Sequence, residues 1–347
     1  MEPNTIPFPT QERDPPELTT EPREEDEGEG EGSSEEAESP FIPGTNIQWA
    51  WDSTSLGYFK TCPRLYQYLI IEGWQNNDES VHLRFGGEFH TSVQQYELSR
   101  AAGIGHNDSV HDIVRDLLLR TWGWNPDKTT KAGKYKNRDS LIRAVIDYLD
   151  KYEHDEARTY IKPDGAPAVE LSFRFELDFE PDHIATRPYT LCGHLDRVVE
   201  FNGGLYVMDY KTTTQTVADY FFKQFQPNNQ MTLYTFAGEV ILDAKIKGVI
   251  VNGIQLLIEE PNRTRVVRNF TYRTDDQLDE WLDDLAFWLG YAESCATNNH
   301  WPQNDLSCDK YGGCRFREIC SKSPDVRERF LKTDFTKGEP WNPLKIR

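Results

Sequence analysis

Apolar positions along the chain predict two neighbouring β-strands near its middle. Residues 191–201 and 205–208 alternate or cluster apolar and β-branched side chains, which is the pattern of half-buried strands. Asn202, Gly203 and Gly204 lie between them and supply the positive φ angles of a tight hairpin turn. The sequence therefore predicts that the two strands pair as antiparallel neighbours.

Patterns on either side of this hairpin predict an α/β protein. Predicted helices comprise a short one with Ser53 or Ser55 as N-cap, one that carries His90, and residues 108–122, 138–157, 218–242 and 275–294. Further strand candidates are residues 168–178, 248–258 and 265–272. This order predicts a mixed central β-sheet flanked by helices, with a helical N-terminal half around the core.

The negative charge of the chain is concentrated at its N-terminus. The 347 residues carry a net charge of −20, and residues 1–44 account for −12 of it, with fourteen Asp and Glu against two Arg. This segment is also rich in Pro, Gly and Ser, so we predict a disordered acidic tail. Residues 45–323 are expected to form a single domain, followed by a polar C-terminal tail over residues 324–347.

Carboxylates on the two hairpin strands form the first candidate site. Asp196 on the first strand and Asp209 on the second repel each other unless a cation lies between them, and such oxygen ligands suit Mg²⁺ or Mn²⁺. Lys211 follows Asp209 by two residues, so both side chains point to one face of the strand. Two carboxylates and an ammonium group are what metal-assisted phosphodiester cleavage needs.

The spacing of an aspartate and a lysine two positions later occurs twice in this chain. The second copy, Asp243 and Lys245, follows a helical stretch and has no partner carboxylate on a preceding strand. We therefore place the candidate site at the first copy.

These residues resemble the central signature of the PD-(D/E)XK nuclease superfamily and, within it, of the RecB-like nuclease domain. The matching positions are Gly193, Asp196, Arg197, Asp209, Tyr210, Lys211 and Thr212. Upstream, Gly86 and His90 match a helix on which the family places a histidine. Downstream, Gln230 and Tyr234 match its Q-x-x-x-Y pair, although two residues four apart on one helical face equally suit packing.

The resemblance implies a restriction-endonuclease-like core and a set of site residues. Mg²⁺ or Mn²⁺ would be held by His90, Asp196, Asp209 and the backbone carbonyl of Tyr210, and the histidine would favour Mn²⁺. Lys211, Gln230 and Tyr234 would complete the catalytic set. The implied activity is that of a divalent-metal-dependent DNA nuclease, acting as an exonuclease on single-stranded ends in recombination, repair or DNA processing, beside a helicase or recombination protein.

Two other classes of function are compatible with the sequence. The first is a catalytically inactive DNA-binding or assembly module that retains the fold, which the intact set of Asp196, Asp209 and Lys211 argues against. The second is a metal hydrolase acting on something other than nucleic acid.

Cysteines near the C-terminus form the second candidate site. Cys308, Cys314 and Cys320 lie within thirteen residues, and three thiolates leave a tetrahedral metal or a cubane cluster one ligand short. Cys62 is the expected fourth ligand, whereas Cys192 and Cys295 are expected to be ordinary buried thiols. The chain has no apolar N-terminal signal and no run of eighteen apolar residues, so we expect a cytoplasmic protein with reduced thiols and no membrane contact.

The arrangement of one upstream cysteine and three C-terminal ones resembles the iron-sulfur members of the RecB-like family, the AddB-type nucleases and the nuclease of CRISPR adaptation. This resemblance implies a [4Fe-4S] cluster that joins the ends of the nuclease domain, with Zn²⁺ as the alternative occupant. The family commonly separates its first two C-terminal cysteines by two residues, and here five intervene.

A basic segment is the candidate contact for DNA. It has no acidic residue between its ends, although the body of the chain is negatively charged, and its cations are Lys128, Lys131, Lys134, Lys136 and Arg138. Phosphate contacts normally come from such residues. The alternative is a solvated loop without a binding role.

Overall fold

The computed structural model describes residues 38–77, 79–178, 187–258, 264–310 and 313–345. Most of the predicted acidic tail lies outside the described residues. Packing begins before the predicted boundary at residue 45, because Ile42 is buried against the main core and Glu38 forms an ion pair with Arg187. None of the helices in the described part is long and apolar enough to cross a lipid bilayer.

Helices form most of the N-terminal half and return after the central strands. A π-helical turn at Gln67–Ile71 follows α2, and a 3₁₀ turn at Asp305–Ser307 precedes α10. The helices are α1 Ser53–Thr61, α2 Pro63–Tyr66, α3 Val81–Ala101, α4 His106–Arg120, α5 Lys131–Tyr135, α6 Arg138–Lys151, α7 Asp219–Lys223, α8 Asn229–Leu242, α9 Asp275–Thr297, α10 Arg317–Cys320 and α11 Pro324–Asp334.

Seven of the strands in the described residues form one mixed sheet, and two form a separate pair. The strands are β1 Ala50–Trp51, β2 Trp74–Asn76, β3 Arg158–Thr159, β4 Val169–Glu176, β5 Thr190–Phe201, β6 Gly204–Thr213, β7 Ile246–Leu256, β8 Thr264–Thr271 and β9 Phe335–Lys337. The large sheet has the order β1-β5-β6-β7-β8, with β3 and β4 also paired to β5, whereas β2 pairs with β9. β5 and β6 are antiparallel, and β6 and β7 are parallel.

The predicted hairpin is present between β5 and β6. Asn202 and Gly203 adopt φ angles of +46° and +69° at its turn, which is the left-handed conformation that such turns require. β6 then crosses over through α7 and α8 to its parallel neighbour β7, as expected for parallel strands joined by a helical connection.

Helices cover both faces of the large sheet, which confirms the predicted α/β fold with a mixed central sheet. On one face, α3, α4 and α6 bury a hydrophobic cluster that includes Phe89, Leu117 and Val145. On the other face, a larger cluster unites α1, α8 and α9 with the sheet. Residues that alternate along β6 belong to opposite clusters, because Val207 contacts the second face and Met208 the first.

Two local predictions about helices were wrong. The N-cap of α1 is Asp52, whose carboxylate accepts a hydrogen bond from the Ser55 amide at 2.8 Å, so neither Ser53 nor Ser55 is the N-cap. The helix predicted over residues 218–242 is two helices, α7 and α8. Pro227 lies between them and provides no backbone donor, and Asn228 caps the start of α8.

The C-terminal segment predicted as a polar tail is folded as far as residue 345. α11 contributes Leu331 to a small hydrophobic cluster with Tyr68, Trp74 and Phe316. β9 follows α11 and pairs with β2 in antiparallel register, and Trp341 packs against the main core. This segment therefore runs from the cysteine region back to the main hydrophobic core.

Candidate active site

The candidate site lies where β5 and β6 separate. Their last paired residues are Arg197 and Met208, and continuation of the same register would place Asp196 opposite Asp209. Like charges directly opposite each other on paired strands are destabilising, so separation at this point relieves the repulsion. β1 pairs with the same edge of β5 as β6 does, but at the other end of that strand, at Thr190 and Leu191. The β5 residues between these two pairings border an open cleft.

Gly193 allows β5 to pass close to β4 beside this opening. A Cβ atom at this position would lie 2.8 Å from Cζ of Phe173, which is closer than van der Waals contact allows. The glycine of the predicted signature therefore has a packing role next to Asp196.

Asp209, Lys211, Gln230 and Tyr234 form a hydrogen-bonded chain on one side of the site. The ammonium group of Lys211 lies 2.8 Å from Asp209 Oδ1 and donates to Gln230 Oε1 at 2.9 Å. The Gln230 amide in turn donates to the Tyr234 hydroxyl at 2.9 Å. Thus Gln230 and Tyr234, which lie one turn apart on α8, orient the lysine rather than only packing.

His90 approaches the site from α3, on the other face of the sheet. Its Nδ1 lies 3.1 Å from Asp196 Oδ2, and its Nε2 lies 2.9 Å from the carbonyl oxygen of Tyr210. Both partners are acceptors, so only a doubly protonated imidazolium donates to both. The structure thereby brings His90, Asp196 and the Tyr210 carbonyl into contact.

Burial and like charge perturb the acidic groups of the site. Burial raises the pKa of Asp209, and the neighbouring Asp196 raises it further, against the opposing effect of Lys211. Burial lowers the pKa of His90, but the negative charge of Asp196 and its hydrogen bond outweigh this and raise the pKa to about 9. In the metal-free site the protonated His90 and Lys211 thus balance the two carboxylates, and a bound cation would replace the positive charge of His90.

One oxygen of this site is unsatisfied within the described residues. Asp209 is 1% exposed, and its Oδ2 atom is buried with no hydrogen-bond partner there. An orphaned carboxylate oxygen, a second carboxylate, a backbone carbonyl and an imidazole are a donor set that fits Mg²⁺ or Mn²⁺. In the described ranges, no three His, Cys, Asp or Glu side chains are grouped as an assembled metal site, and His90 would have to lose a proton before one of its ring nitrogens could bind a metal.

A cleft of about 1150 Å³ gives access to these groups. Its wall includes His90, Asp196, Asp209, Lys211 and Gln230, together with residues that sequence reasoning missed: Asp52, Arg84, Arg315 and Trp341. The Trp341 indole donates to the Asp52 carboxylate at 3.3 Å, which holds the C-terminal segment across one side of the cleft. No spacing pattern in the sequence marks these residues.

The four cysteines predicted as metal ligands are free thiols, and in the described residues they are not assembled as a metal-binding group. The Cys314 amide donates to the Cys308 carbonyl at 2.8 Å. Burial raises the pKa of Cys314, and the nearby Cys308 and Cys62 contribute to this shift. Burial also raises the pKa of Cys320, with a contribution from Cys314. By contrast with these four, Cys192 and Cys295 are buried thiols.

Some cations of the predicted basic segment are buried or paired, and others are exposed. Lys136 is 4% exposed, and its ammonium group donates to the Thr212 carbonyl at 3.2 Å and to the Thr212 hydroxyl at 3.1 Å. Arg138 donates to the Leu118 carbonyl and so caps the end of α4. Lys128 forms an ion pair with Asp139, and Lys131 and Lys134 are exposed.

Comparison with known proteins identifies the family. The model of the PD-(D/E)XK nuclease superfamily matches residues 52–321, a range that contains every candidate residue above. The chain belongs to the PD-(D/E)XK nuclease superfamily. The separated strands, the two aspartates and the adjacent lysine are thus features of a superfamily member.

Two individual proteins are also similar to the chain. The Gene 69 protein of Mycobacterium phage D29 is 28% identical over 182 residues, which cover 48% of this chain and 64% of the phage protein. A crystal structure of a protein from Eubacterium rectale, described provisionally as an exonuclease, has 13% identity and a TM-score of 0.45, covering 80% of this chain and 91% of that one.

Proposed function

We propose that this protein is a divalent-metal-dependent DNA nuclease that acts as an exonuclease on single-stranded ends. The observation that carries the proposal is the convergence of His90, Asp196, Asp209 and Lys211 at the separation of β5 and β6. Membership of a nuclease superfamily supports the reaction class, and superfamily members generally use divalent metals. The restriction to single-stranded ends comes from the RecB-like resemblance.

The residues divide into ion-binding and substrate-binding roles. Asp196, Asp209, the Tyr210 carbonyl and His90 would hold Mg²⁺ or Mn²⁺, and the ion when bound would polarise the phosphate and lower the pKa of a bound water. Asp209 Oδ2 is the donor that is ready for it.

Lys211 would stabilise the negative charge that develops on the scissile phosphate. Two of its three N–H donors contact Asp209 and Gln230, so a third is available for a phosphate oxygen. Gln230 and Tyr234 would act as positioning residues, because they hold the ammonium group in place without facing the reacting atoms themselves.

The test is cleavage of end-labelled DNA by the full chain with Mn²⁺, Mg²⁺ or EDTA. We expect the wild type to shorten single strands with a metal and not with EDTA, and Asp209→Ala or Lys211→Ala to lower the rate at least about a hundredfold. Lys245→Ala and Asp243→Asn are matched controls, because they change the same residue types at the same spacing on an exposed surface.

The outcomes separate the alternatives. Full cleavage by Lys211→Ala would contradict the assignment. Wild-type protein that binds DNA with any metal but never cleaves it would establish the non-catalytic module instead. Hydrolysis of other phosphodiesters without any action on DNA would indicate a different substrate class.

We also propose that Cys62, Cys308, Cys314 and Cys320 bind a [4Fe-4S] cluster, with Zn²⁺ as the alternative. The iron-sulfur assignment comes from the resemblance, because in the described residues the four thiols are not grouped as metal ligands and would have to move together to bind a shared ion or cluster. Anaerobically purified protein should contain iron and acid-labile sulfide, and Cys314→Ser should lose both while Cys295→Ala retains them. Stoichiometric zinc without sulfide would favour the alternative, and neither metal in wild-type protein would refute a metal role.

A further inference from the structure

An exposed tryptophan lies on the segment that joins α4 to α5. Trp122 is 80% exposed, and the Arg138 guanidinium carbon lies 5.7 Å from the centre of its ring. Large aromatic side chains in such positions are favoured at binding surfaces, where one face contacts a partner. Arg138 is itself held by its hydrogen bond to the end of α4, so the ring and the cation form a preorganised pair.

A second cation-aromatic pair connects Trp122 with the cleft. Arg84 lines the cleft, and its guanidinium carbon lies 5.5 Å from the ring centre of Trp124. The same guanidinium donates to the Arg120 carbonyl at 3.4 Å, two residues before Trp122. Leu83 beside it is exposed and also lines the cleft. We call Leu83, Arg84, Trp122 and Trp124 the tryptophan ridge.

The charge around the ridge is opposite to that of the whole chain. Residues 119–140 contain six Lys and Arg against two Asp, whereas the chain carries −20. Lys131 and Lys134 are exposed in this stretch, while one of the two aspartates, Asp139, is paired with Lys128. Arg84 and Arg120 are paired with Glu79 and Glu88, and Lys136 is buried, so Lys131 and Lys134 are the cations of this surface on which attraction of a polyanion would depend.

We infer that the tryptophan ridge binds single-stranded DNA outside the cleft, with bases stacked on Trp122 and phosphates beside Lys131 and Lys134. This inference rests on the proposed function, because it extends the path of the same substrate. Aromatic platforms next to cations suit single strands, whose bases expose their faces, whereas the bases of a duplex are already stacked on each other. The continuity with the cleft through Arg84 supports one path for one strand.

Affinity measurements test the inference directly. Fluorescence polarisation with a labelled single strand in EDTA should show Trp122→Ala binding about five- to tenfold more weakly than wild type. Trp122→Phe should recover most of the loss, because a phenyl ring still stacks. Phe287→Ala is the matched control, since Phe287 is an aromatic residue of 69% exposure on α9, away from the ridge, and it should bind like wild type.

Salt dependence provides a second, independent readout. The logarithm of affinity against the logarithm of salt concentration should become less steep by about 0.7 for each lysine removed, in Lys131→Ala and in the double variant with Lys134→Ala. An unchanged slope would remove the lysines from the path. Equal affinity of Trp122→Ala and wild type, or an equal loss with blunt duplex of the same length, would overturn the inference.

The two proposals fail in different ways. The nuclease proposal fails when wild-type protein does not cleave DNA with Mn²⁺, whatever its affinity. The tryptophan ridge fails when cleaving wild-type protein and Trp122→Ala bind single strands equally. If Trp122→Ala unfolds at the same temperature as the wild-type protein, a loss of affinity for DNA reflects the changed surface and not a changed fold.

Discussion

Replacing Asp209 with Asn removes one buried charge at nearly constant volume. In the metal-free protein Asp209 is buried, and removal from water disfavours its charged form, a cost that an uncharged amide of the same size avoids. Repulsion from Asp196 adds to this cost. The substitution also removes the attraction between the negative charge of Asp209 and the ammonium group of Lys211. Because this ammonium group is partly exposed, water can solvate it instead.

The balance predicts that Asp209→Asn stabilises the metal-free protein. A net gain of about 1 kcal/mol corresponds to a rise in Tm of about 2–4 °C for a domain of this size. With Mn²⁺ the order of the two Tm values should reverse, so that the wild-type protein is more stable than Asp209→Asn. Wild-type protein gains about 2.7 kcal/mol at a metal concentration of a hundred times Kd, whereas the variant lacks the donor that Mn²⁺ requires.

Thermal unfolding followed by circular dichroism, with EDTA and with excess Mn²⁺, measures both halves of this prediction. Asp243→Asn is the control, because Asp243 is exposed and also precedes a lysine by two residues. Asp243 has a φ of +45° at the C-cap of α8, where Asn is favoured, so its substitution should change Tm by the same small amount with EDTA and with Mn²⁺ and show no metal-dependent reversal. A lower Tm of Asp209→Asn in EDTA, or an equal gain from Mn²⁺ in variant and wild type, would refute the reasoning.

Two further predictions concern residues beside the site. Gln230→Leu removes the acceptor that orients Lys211, so kcat should fall about tenfold at unchanged affinity for DNA, and Tyr234→Phe should show a smaller loss; a wild-type kcat for Gln230→Leu would exclude the positioning role. Burial lowers the pKa of Lys136 to about 8, below the value of about 10.4 for an unfolded lysine, so the unfolded chain binds more protons between these values and wild-type stability rises with pH there. The free energy of unfolding of wild type minus that of Lys136→Met, from urea titrations, should therefore increase by about 2 kcal/mol from pH 7.5 to 9.5, and a constant difference would contradict the shifted pKa.

Local signals were sufficient for the centre of the fold. The alternation of apolar residues and the Asn-Gly turn predicted the β5–β6 hairpin, because both depend on residues close in sequence. The same register places Asp196 and Asp209 at the point of separation, so the pair of aspartates was also available from the sequence. The interruption of the predicted helix over residues 218–242 was missed, although Pro227 was a visible signal for it.

Resemblance extended the prediction beyond local signals. His90 is separated from Asp196 by more than a hundred residues, and no periodicity relates the two positions. A family pattern connected them, and the structure places their side chains 3.1 Å apart. Both positions lie within residues 52–321, which match the superfamily, and the role of His90 as a metal ligand stays a prediction.

The distribution of charged residues was a poorer guide to the binding surfaces. Lys136 and Arg138 belong to the predicted basic segment, yet one is buried against Thr212 and the other caps α4. Whether a cation is free depends on which carbonyl groups and carboxylates the fold brings near it, and those partners come from distant elements. The exposure of Trp122 could not be predicted from the sequence either, because most tryptophans are largely buried.

The sequence by itself determined the hairpin, the two aspartates on it and the lysine two residues later, since strand periodicity and turn conformation act over a few residues. Only the tertiary structure decided that β5 and β6 part at Asp196, that α8 delivers Gln230 to Lys211, and that the C-terminal segment closes one side of the cleft. These features depend on burial and hydrogen bonding between residues far apart in the chain, and such contacts exist only after the whole domain has packed.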